Sequence, residues 1–253
     1  MLMKGKVCVV TGAASLQGIG RATAHMLAAN GADVVVIDVS DNVDNAAGEL
    51  AADHPSSSIL GVKCNIVDSA ACAEAATKVS RAFNQVDALV HCAGVIRSGR
   101  YDEISEQDFD EVIAINLAGT FNIIRSFTPA MVARRAGSIV NVASVAAQRG
   151  GGLVGGAHYA ASKGAVLSLT KSLARELGPM GVRVNAVCPS LIETDFVNRA
   201  VSKDRIADLT AAIPLGRPGR PDEVASACMF LASDLSSYIT GATLDVNGGS
   251  HIH

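Results

Sequence analysis

The segment His158-Tyr-Ala-Ala-Ser-Lys163 carries a tyrosine and a lysine four positions apart. On an α-helix such positions lie on nearly the same face, about 6 Å apart along the axis. A free tyrosine titrates near pH 10, and a neighbouring ammonium favours the phenolate and lowers that pKa. Tyr159 and Lys163 therefore predict a general acid–base group for an alcohol or ketone near neutral pH. The motif is weak by itself, because ordinary amphipathic helices also carry this pair.

A glycine-rich segment near the start of the chain predicts a dinucleotide site. The apolar run at 6–11 is typical of a buried strand. It is followed by Gly12-Ala-Ala-Ser-Leu-Gln-Gly-Ile-Gly20 and then by a helical stretch at 21–30. The glycines allow the backbone to approach a pyrophosphate, and the helix N-terminus offers unpaired N–H groups and a positive dipole. The flanking strand and helix supply the context that a glycine pattern alone lacks.

The next apolar run, at 33–38, ends in a carboxylate eighteen residues after Gly20. In a dinucleotide fold, an acid here accepts the hydroxyls of the adenosine ribose; a turn aspartate is the alternative. Asp38 would repel a 2′-phosphate by about 1–4 kcal/mol per charge pair at about 4 Å, depending on the dielectric. No Arg or Lys occurs at 13–17 or 39–40, and we expect Arg21 on the solvent face of its helix. The sequence thus predicts NAD rather than NADP.

With several later motifs, these residues resemble the short-chain dehydrogenase/reductase family over essentially the whole chain. The matching motifs are Thr11-Gly12 with Gly18-Ile-Gly20, Ala93-Gly94, Asn116, Ser144, Tyr159 with Lys163, Arg183-Val-Asn-Ala-Val-Cys-Pro189, and Ile239-Thr-Gly241 to Asp245-Val-Asn-Gly-Gly249. The resemblance implies hydride transfer between NAD and a secondary alcohol or ketone. It also implies a catalytic tetrad, made of Asn116, Ser144, Tyr159 and Lys163.

Each tetrad member has an expected role. Tyr159 moves the hydroxyl proton, and Lys163 lowers the tyrosine pKa and, by the resemblance, holds the nicotinamide ribose. Ser144 hydrogen-bonds the substrate oxygen and stabilises developing negative charge. By the resemblance, Asn116 kinks its helix and holds a water that links Lys163 to solvent. The structural alternatives are a turn or cap serine at 144 and, at 116, an amide that closes a helix break.

The resemblance also implies which residues contact the ligands. The expected cofactor contacts are Gly12, Ser15, Gln17, Gly18, Ile19, Gly20, Asp38, Asn65, Ile66, Cys92, Ala93, Gly94, Tyr159, Lys163, Pro189, Ile192 and Thr194. The expected substrate contacts are Ser144, Ala146, Leu153, Tyr159 and Ser190. Further candidates for the substrate pocket are Val95, Ile96, Val145, Gln148, His158 and Leu191, with Arg97, Arg100 and Arg149 as either anion-binding or solvent-exposed charges.

Three departures from the family pattern lie near the cofactor. Five residues separate Gly12 from Gly18, where the family usually has three. Cys92 replaces the usual asparagine before Ala-Gly, and we expect it to pack rather than to react, although an accessible thiol is the alternative. Asn65 replaces the usual aspartate, and its amide can still hydrogen-bond an adenine edge.

The chain of 253 residues is long enough for one large core, and we expect a single domain over 1–253. Alternating strand and helix signals predict an α/β fold, a single Rossmann-type domain with a doubly wound, seven-stranded parallel sheet and helices on both faces. The predicted strands are 6–11, 33–38, 59–63, 87–91, 137–142, 183–188 and 243–246, and the predicted helices are 18–30, 43–53, 69–84, 105–117, 119–134, 157–177 and 222–232. Two further segments, 149–156 and 194–214, are lid candidates because both border the catalytic residues.

Composition argues against several other classes of protein. A net charge of −3 gives no basic face for nucleic acid, and no apolar run approaches a membrane span. The first strand begins by Lys6, which leaves no room for a signal peptide, so we expect a cytoplasmic protein. Six cysteines without a CxxC motif, and six histidines without ligand spacing, predict neither a metal site nor a disulfide framework.

Taken together, the sequence predicts an NAD-dependent oxidoreductase acting on a polyol, a sugar or a hydroxy acid. A 3-oxoacyl-thioester reductase of the same family is one alternative, and a non-catalytic dinucleotide-sensing protein is another. The resemblance further implies a homotetramer, in which the helices at 105–117 and 119–134 pair with their copies and the tail after Thr240 meets another subunit. Apolar residues broaden the surface of these two helices beyond one stripe, which is consistent with such pairing.

Overall fold

The computed structural model describes residues 1–151, 154–195, 197 and 203–253. Its centre is one parallel sheet with the strand order β3-β2-β1-β4-β5-β6-β7. The strands are β1 (Val7–Thr11), β2 (Asp33–Asp38), β3 (Ile59–Lys63), β4 (Ala88–His91), β5 (Gly137–Val142), β6 (Val182–Pro189) and β7 (Thr243–Val246). The chain starts in the middle of the sheet, builds one half outward to β3, and returns to build the other half. The predicted seven-stranded, doubly wound sheet is confirmed.

The helices connect these strands. They are α1 (Ile19–Ala29), α2 (Val43–Asp53), α3 (Ser69–Ala82), α4 (Glu106–Ile113), α5 (Gly119–Arg134), α6 (Ala146–Arg149), α7 (Ala157–Leu177), α8 (Lys203–Ala211) and α9 (Pro221–Ala232). A π-helical turn, Ala114–Ala118, joins α4 to α5, and short 3₁₀ turns occupy Gly178–Met180 and Asp234–Ser236. No described helix is long and apolar enough to cross a membrane.

Both faces of the sheet are buried, which explains why the central strands are apolar almost without interruption. On one face, α1 and α9 pack through Leu27, Val224 and Leu231 against the strands. On the other face, Ile123 and Phe127 of α5 pack in one apolar cluster with buried residues of α3, α7 and the strands. All five residues of β1 are buried. This central position fixes the carboxyl end of β1, where the glycine-rich segment begins.

The structure adds the short helix α6, which the sequence did not predict, and two further details differ from the prediction. The helix predicted at 105–117 ends as an α-helix at Ile113 and continues through the π turn that contains the buried Asn116. Arg21 does not face solvent: it is buried, and its guanidinium donates hydrogen bonds to the carbonyl of Ala46 and to Glu49. These acceptors on α2 compensate the desolvation of the charge.

Candidate active site

A cavity of about 1030 Å³ opens at the carboxyl ends of the strands, where ligands bind in open α/β sheets. Its wall runs from Asp38 and Asn65 at one end, past the glycine-rich segment and Gly94, to Tyr159 at the other. All of the expected cofactor-contact residues except Gln17 line this wall, and so do Ser144, Ala146 and Ser190 from the expected substrate set. Leu153 lies outside the described residues.

The glycine-rich segment turns sharply because Gly12 adopts a φ of 67°. A Cβ at this position would lie 2.7 Å from backbone atoms of Ala93, so only glycine allows β1 and β4 to end this close together. The Gly12 N–H donates to the carbonyl of Ile37 at 2.8 Å. The turn then leads into α1, whose N-cap residue, Gly18, has no capping side chain. The first N–H groups of α1 are therefore available to an anion.

An aspartate already contacts this glycine-rich segment. Ser15 Oγ donates to Asp195 Oδ2 at 3.0 Å, and the Gln17 N–H lies 3.4 Å from the same oxygen. Gln17 is exposed and turns away from the cavity, because the lengthened segment bulges into solvent at 15–17. The expected cofactor contact of Gln17 is thus replaced in the structure by a contact with a carboxylate on the loop after β6.

Asp38 ends β2 with both carboxylate oxygens held by the backbone. Oδ2 accepts the Ala14 N–H and Oδ1 accepts the Ser40 N–H, each at 3.0 Å. These bonds fix the carboxylate at the cavity wall, and each oxygen keeps a further lone pair for a hydroxyl donor. Lys63 is the neighbour of Asp38 in the sheet register, but its ammonium pairs with Asp41.

Asn116 and Lys163 meet behind Gly94. The Asn116 side chain accepts the Val95 N–H at 2.8 Å and donates to the Val95 carbonyl at 2.9 Å and to Ser162 Oγ at 3.0 Å. A Cβ on Gly94 would lie 3.0 Å from Asn116 Oδ1 and 3.3 Å from Lys163 Nζ. Glycine at 94 therefore leaves room for both polar groups beside the backbone at this position.

Burial dominates the ionisation of Tyr159 and Lys163. It raises the pKa of Tyr159, while a hydrogen bond with Ser144 acts in the opposite direction. Burial also lowers the pKa of Lys163 to about 8. The Lys163 ammonium donates to the Val142 carbonyl at 2.9 Å. The hydrogen bond with Ser144 favours the phenolate in this arrangement, and the lowering of the tyrosine pKa by Lys163 stays a prediction.

A buried histidine, which sequence reasoning did not single out, connects the glycine-rich segment to the tetrad. His91 Nδ1 lies 2.8 Å from Thr11 Oγ1, and Nε2 lies 2.9 Å from Thr120 Oγ1. Thr120 donates its only proton to the Asn116 carbonyl at 2.6 Å, so it must accept from His91 Nε2–H. Nδ1 then accepts from Thr11, whose oxygen accepts the Ala93 N–H at 3.2 Å. The network assigns the neutral Nε2–H tautomer.

The substrate end of the cavity is mostly apolar. Its wall includes Val95, Ile96, Ala146, Val154, Leu191, Leu209 and Ile213. Two polar candidates from the sequence do not contribute to it: Gln148 donates to Asp245 at 2.8 Å, and His158 is buried away from the cavity with both ring nitrogens unpartnered. Sequence periodicity could not show the direction of Gln148, because it follows from a contact with the distant Asp245.

Three arginines were candidates for substrate binding. Arg97 lies at the cavity wall in a two-point ion pair with Glu111, at 3.0 and 3.1 Å, and Arg100 pairs with Asp102 outside the cavity. Arg149 also lies at the wall, and its guanidinium donates to the carbonyl of Ser250 at 2.8 Å. Among the described residues, Arg149 has no acidic partner. Of the three arginines, it is therefore the one best able to meet an anionic ligand group.

Cys92 fits the expected packing role. The residue is half-buried at the cavity wall, and burial raises the pKa of its thiol to about 12. The protonated thiol is the unreactive form.

Comparisons with known proteins agree with this architecture. The profile of the family described as Enoyl-(Acyl carrier protein) reductase matches residues 12–251. An uncharacterized short-chain type dehydrogenase/reductase of Sinorhizobium fredii is 44% identical, with 100% of both chains covered. A 3-oxoacyl-(acyl-carrier-protein) reductase of Thermotoga maritima is 42% identical, over 98% of this chain and 99% of its own. A D-threitol dehydrogenase of Mycolicibacterium smegmatis is 40% identical, over 98% of this chain and 93% of its own.

Solved structures superpose closely on the whole chain. A 3-oxoacyl-(acyl-carrier protein) reductase from Brucella melitensis with bound NAD has a TM-score of 0.91 at 34% identity, covering 100% of this chain and 93% of that one. A putative NAD(P) dependent gluconate 5-dehydrogenase from Beutenbergia cavernae, with bound NADP at low occupancy, has a TM-score of 0.90 at 40% identity, covering 98% and 97%. These neighbours share the fold, and they differ in the activity for which they are named and in the cofactor bound.

Proposed function

The chain belongs to the short-chain dehydrogenase/reductase family, and we propose that it is an NAD(H)-dependent enzyme that interconverts a secondary alcohol and a ketone. One observation carries the proposal. Tyr159, Ser144 and Lys163 line the same cavity whose far end is closed by the Asp38 carboxylate. A proton-transfer group and a ribose-binding acid therefore share one cavity large enough for a dinucleotide and a small substrate.

The residues present fit a dinucleotide. The bare α1 N-terminus with Ser15 would hold the pyrophosphate, and Asp38 would accept the adenosine ribose hydroxyls. Lys163, at the opposite end, would reach the nicotinamide ribose. When bound, NAD supplies the hydride acceptor for alcohol oxidation, and NADH supplies the donor for ketone reduction.

Residues of the protein itself carry out the proton transfer. In oxidation, Tyr159 Oη removes the proton of the substrate hydroxyl, and in reduction it returns a proton to the ketone oxygen. Ser144 Oγ hydrogen-bonds the same oxygen and also favours the phenolate by its bond to Tyr159. Asn116 holds Val95 and Ser162 in place, which keeps the π turn against the lysine. The buried Lys163 contributes positive charge beside this site.

Asp38 supports NAD over NADP. Its carboxylate is fixed by two backbone bonds and cannot easily turn away from a 2′-phosphate. The two nearby cations are engaged elsewhere, Arg21 with Glu49 and Lys63 with Asp41. A 2′-phosphate would therefore meet a fixed negative charge without a ready counter-charge.

Among a polyol, a sugar and a hydroxy acid, the wall of the cavity favours a hydroxy acid with an apolar body. Polyols and sugars need several polar contacts, but the substrate end is lined mainly by aliphatic side chains. Arg149 offers a charge for a carboxylate. A 3-oxoacyl thioester is the second candidate, because the same aliphatic wall would accommodate an acyl chain and several of the similar proteins are named as such reductases.

A substrate panel tests this choice. Hydroxy acids, polyols, sugars and 3-oxoacyl thioesters are offered with NAD(H) and with NADP(H), and the change in NADH absorbance is followed. We expect hydroxy acids with NAD to give the highest kcat/KM. Arg149→Met should then raise KM for the hydroxy acid about tenfold or more, which is the scale of a lost charged hydrogen bond. Arg100→Met removes an arginine outside the cavity and is the matched control.

Each alternative has its own outcome. Faster turnover of polyols, insensitive to Arg149→Met, would contradict the hydroxy-acid choice, whereas preference for thioesters would support the second candidate. Absence of turnover with every substrate, together with tight NAD binding, would support a dinucleotide-sensing protein. The homotetramer and the cytoplasmic location remain predictions from the sequence.

A further inference from the structure

Cys64 and Cys72 bring their sulfur atoms to 4.0 Å at the adenine end of the cavity. Cys64 follows β3 and lines the cavity wall, whereas Cys72 is fully buried in the first turns of α3. All six cysteines lie in described segments, and no other pair of them makes a sulfur–sulfur contact. The contact therefore distinguishes this pair from the remaining thiols.

The segment between the two cysteines forms the adenine end of the proposed cofactor site. Asn65 and Ile66 line the cavity, and the Cys72 thiol lies 3.5 Å from the carbonyl of Ile66. The start of α3 is anchored because the Asp68 carboxylate caps it through the Ala70 and Ala71 N–H groups. A change in the sulfur–sulfur distance must then be absorbed mainly by residues 64–67.

We propose that Cys64 and Cys72 form a reversible disulfide with a peroxide, and that this modification weakens dinucleotide binding. The second half of the proposal rests on the proposed function. The disulfide would make dinucleotide binding sensitive to oxidants through two cysteines that take no part in proton transfer.

The reaction balances with the peroxide as the only oxidant. The Cys64 sulfur attacks one peroxide oxygen, an S–O bond forms, the O–O bond breaks, and the thiol proton leaves with the released alcohol or water. Cys72 sulfur then attacks Cys64 sulfur, the S–S bond forms, the S–O bond breaks, and a second water leaves with the Cys72 proton. Two thiols lose two electrons, and the peroxide gains them.

Position and ionisation both favour Cys64 as the attacking group. Both thiols are buried, but Cys64 is the member of the pair that lines the cavity, from which a small peroxide would approach it. A hydrogen bond with Cys72 lowers the pKa of the Cys64 thiol and so increases its thiolate fraction.

Closing the bond must disturb the adenine end of the site. A disulfide requires about 2.05 Å between sulfur atoms, so the two must approach by roughly 2 Å. Ile66 cannot move freely, because its side chain already packs so closely on Gly119 that a Cβ there would lie 2.7 Å from it. The part of this displacement that rotation of the two cysteine side chains does not supply therefore falls on the backbone of Cys64 and Asn65.

The test measures mass and binding separately. The reduced protein is treated with hydrogen peroxide, and intact mass and peptide mapping are followed. We expect a loss of about 2 Da, mapped to Cys64 and Cys72, that a dithiol reductant reverses. Cys72→Ala should abolish this loss, whereas Cys8→Ala, which removes another fully buried thiol, should retain it. Far-UV circular dichroism checks that both variants fold.

Calorimetry then compares NAD binding by the reduced, oxidised and re-reduced protein. We expect the oxidised form to bind NAD about tenfold more weakly, a change of about 1.4 kcal/mol, with full recovery on reduction. A peroxide-treated protein without a Cys64–Cys72 linkage would overturn the disulfide, and an unchanged Kd in the linked protein would overturn its effect on binding. Failure of the reduced protein to bind NAD would instead overturn the proposed function, because the mass measurement does not depend on it.

Discussion

Replacing His91 by glutamine should make the stability of the protein less sensitive to acid. His91 is buried between Thr11 and Thr120, and burial, with a smaller effect of Lys163, lowers its pKa from 6.5 to about 3. Protonation would force Nδ1 to donate toward Thr11, which already donates to it. Glutamine keeps one donor and one acceptor but cannot be protonated in this range.

The sign and size of the effect follow from proton linkage. Between pH 6.5 and about 3 the unfolded chain carries a proton on this imidazole and the folded protein does not. Folding stability therefore falls as the pH falls through this window. With pKa values of 6.5 and about 3, the loss between pH 7 and pH 5 is about 2 kcal/mol.

Urea unfolding at pH 7 and pH 5, at one protein concentration, measures this difference. His91→Gln should lower the free energy of unfolding at pH 7, because a buried network is altered, but should shrink the pH-dependent difference by about 2 kcal/mol. His251→Gln, in the C-terminal tail, controls for the loss of any imidazole. Nitrogen-15 NMR should report a neutral Nε2–H tautomer of His91 at pH 5. Titration of His91 near pH 6.5, or the same acid sensitivity in His91→Gln, would refute the reasoning.

Three further predictions concern the cofactor and the assembly. Asp38→Ala should weaken NAD binding about tenfold, because two acceptors for the ribose hydroxyls are lost, and should reduce the difference in affinity between NAD and NADP. Equal kcat/KM of the native protein with NAD and with NADP would contradict this role of Asp38. The Asp195 carboxylate contacts Ser15, where the pyrophosphate would bind, so it should compete with the cofactor. Asp195→Asn should therefore tighten NAD binding about two- to fivefold, the scale of an exposed charge contact. Unchanged or weaker affinity would contradict this competition. Light scattering should give about four times the 25.9 kDa chain mass, and Phe121→Asp, on α5, should reduce it; a stable, active monomer would contradict the tetramer.

The sequence predicts most of the fold because the signals are local. All seven strands lie within one residue of their predicted limits at both ends, and so do the helices α1, α2, α5, α7 and α9. The buried, parallel strands read as uninterrupted apolar runs, and the helices read as periodic ones. The π turn at Ala114–Ala118 gives no such signal, because it is fixed by the contacts of Asn116 with Val95 and Ser162.

The candidate site is predicted less completely, for a related reason. The sequence motifs correctly identify Asp38, Ser144 and Tyr159 as residues of one cavity, because the strand order places the ends of their strands together. The burial of Arg21 depends on acceptors more than twenty residues away on α2. Likewise, the direction of Gln148 depends on Asp245, at the other end of the sequence. Such long-range pairings leave no periodicity in the sequence.

The position of Asp195 was also not evident from the sequence. It follows the expected cofactor residue Thr194 on the loop after β6, and only the fold brings this loop to the glycine-rich segment at Ser15. The His91 network is similar, since its partners Thr11 and Thr120 come from a different strand and from α5. Both features connect segments that belong to different sequence motifs.

The most direct test of the central claim is the turnover of Tyr159→Phe beside its NAD affinity. Phenylalanine keeps the buried ring and removes only the hydroxyl that moves the proton. Once the substrate panel has identified a substrate, the variant should lose at least about 100-fold in kcat, the scale of general acid–base catalysis, while the Kd for NAD changes little. Near-normal turnover by Tyr159→Phe would contradict the assignment of Tyr159 as the proton-transfer group.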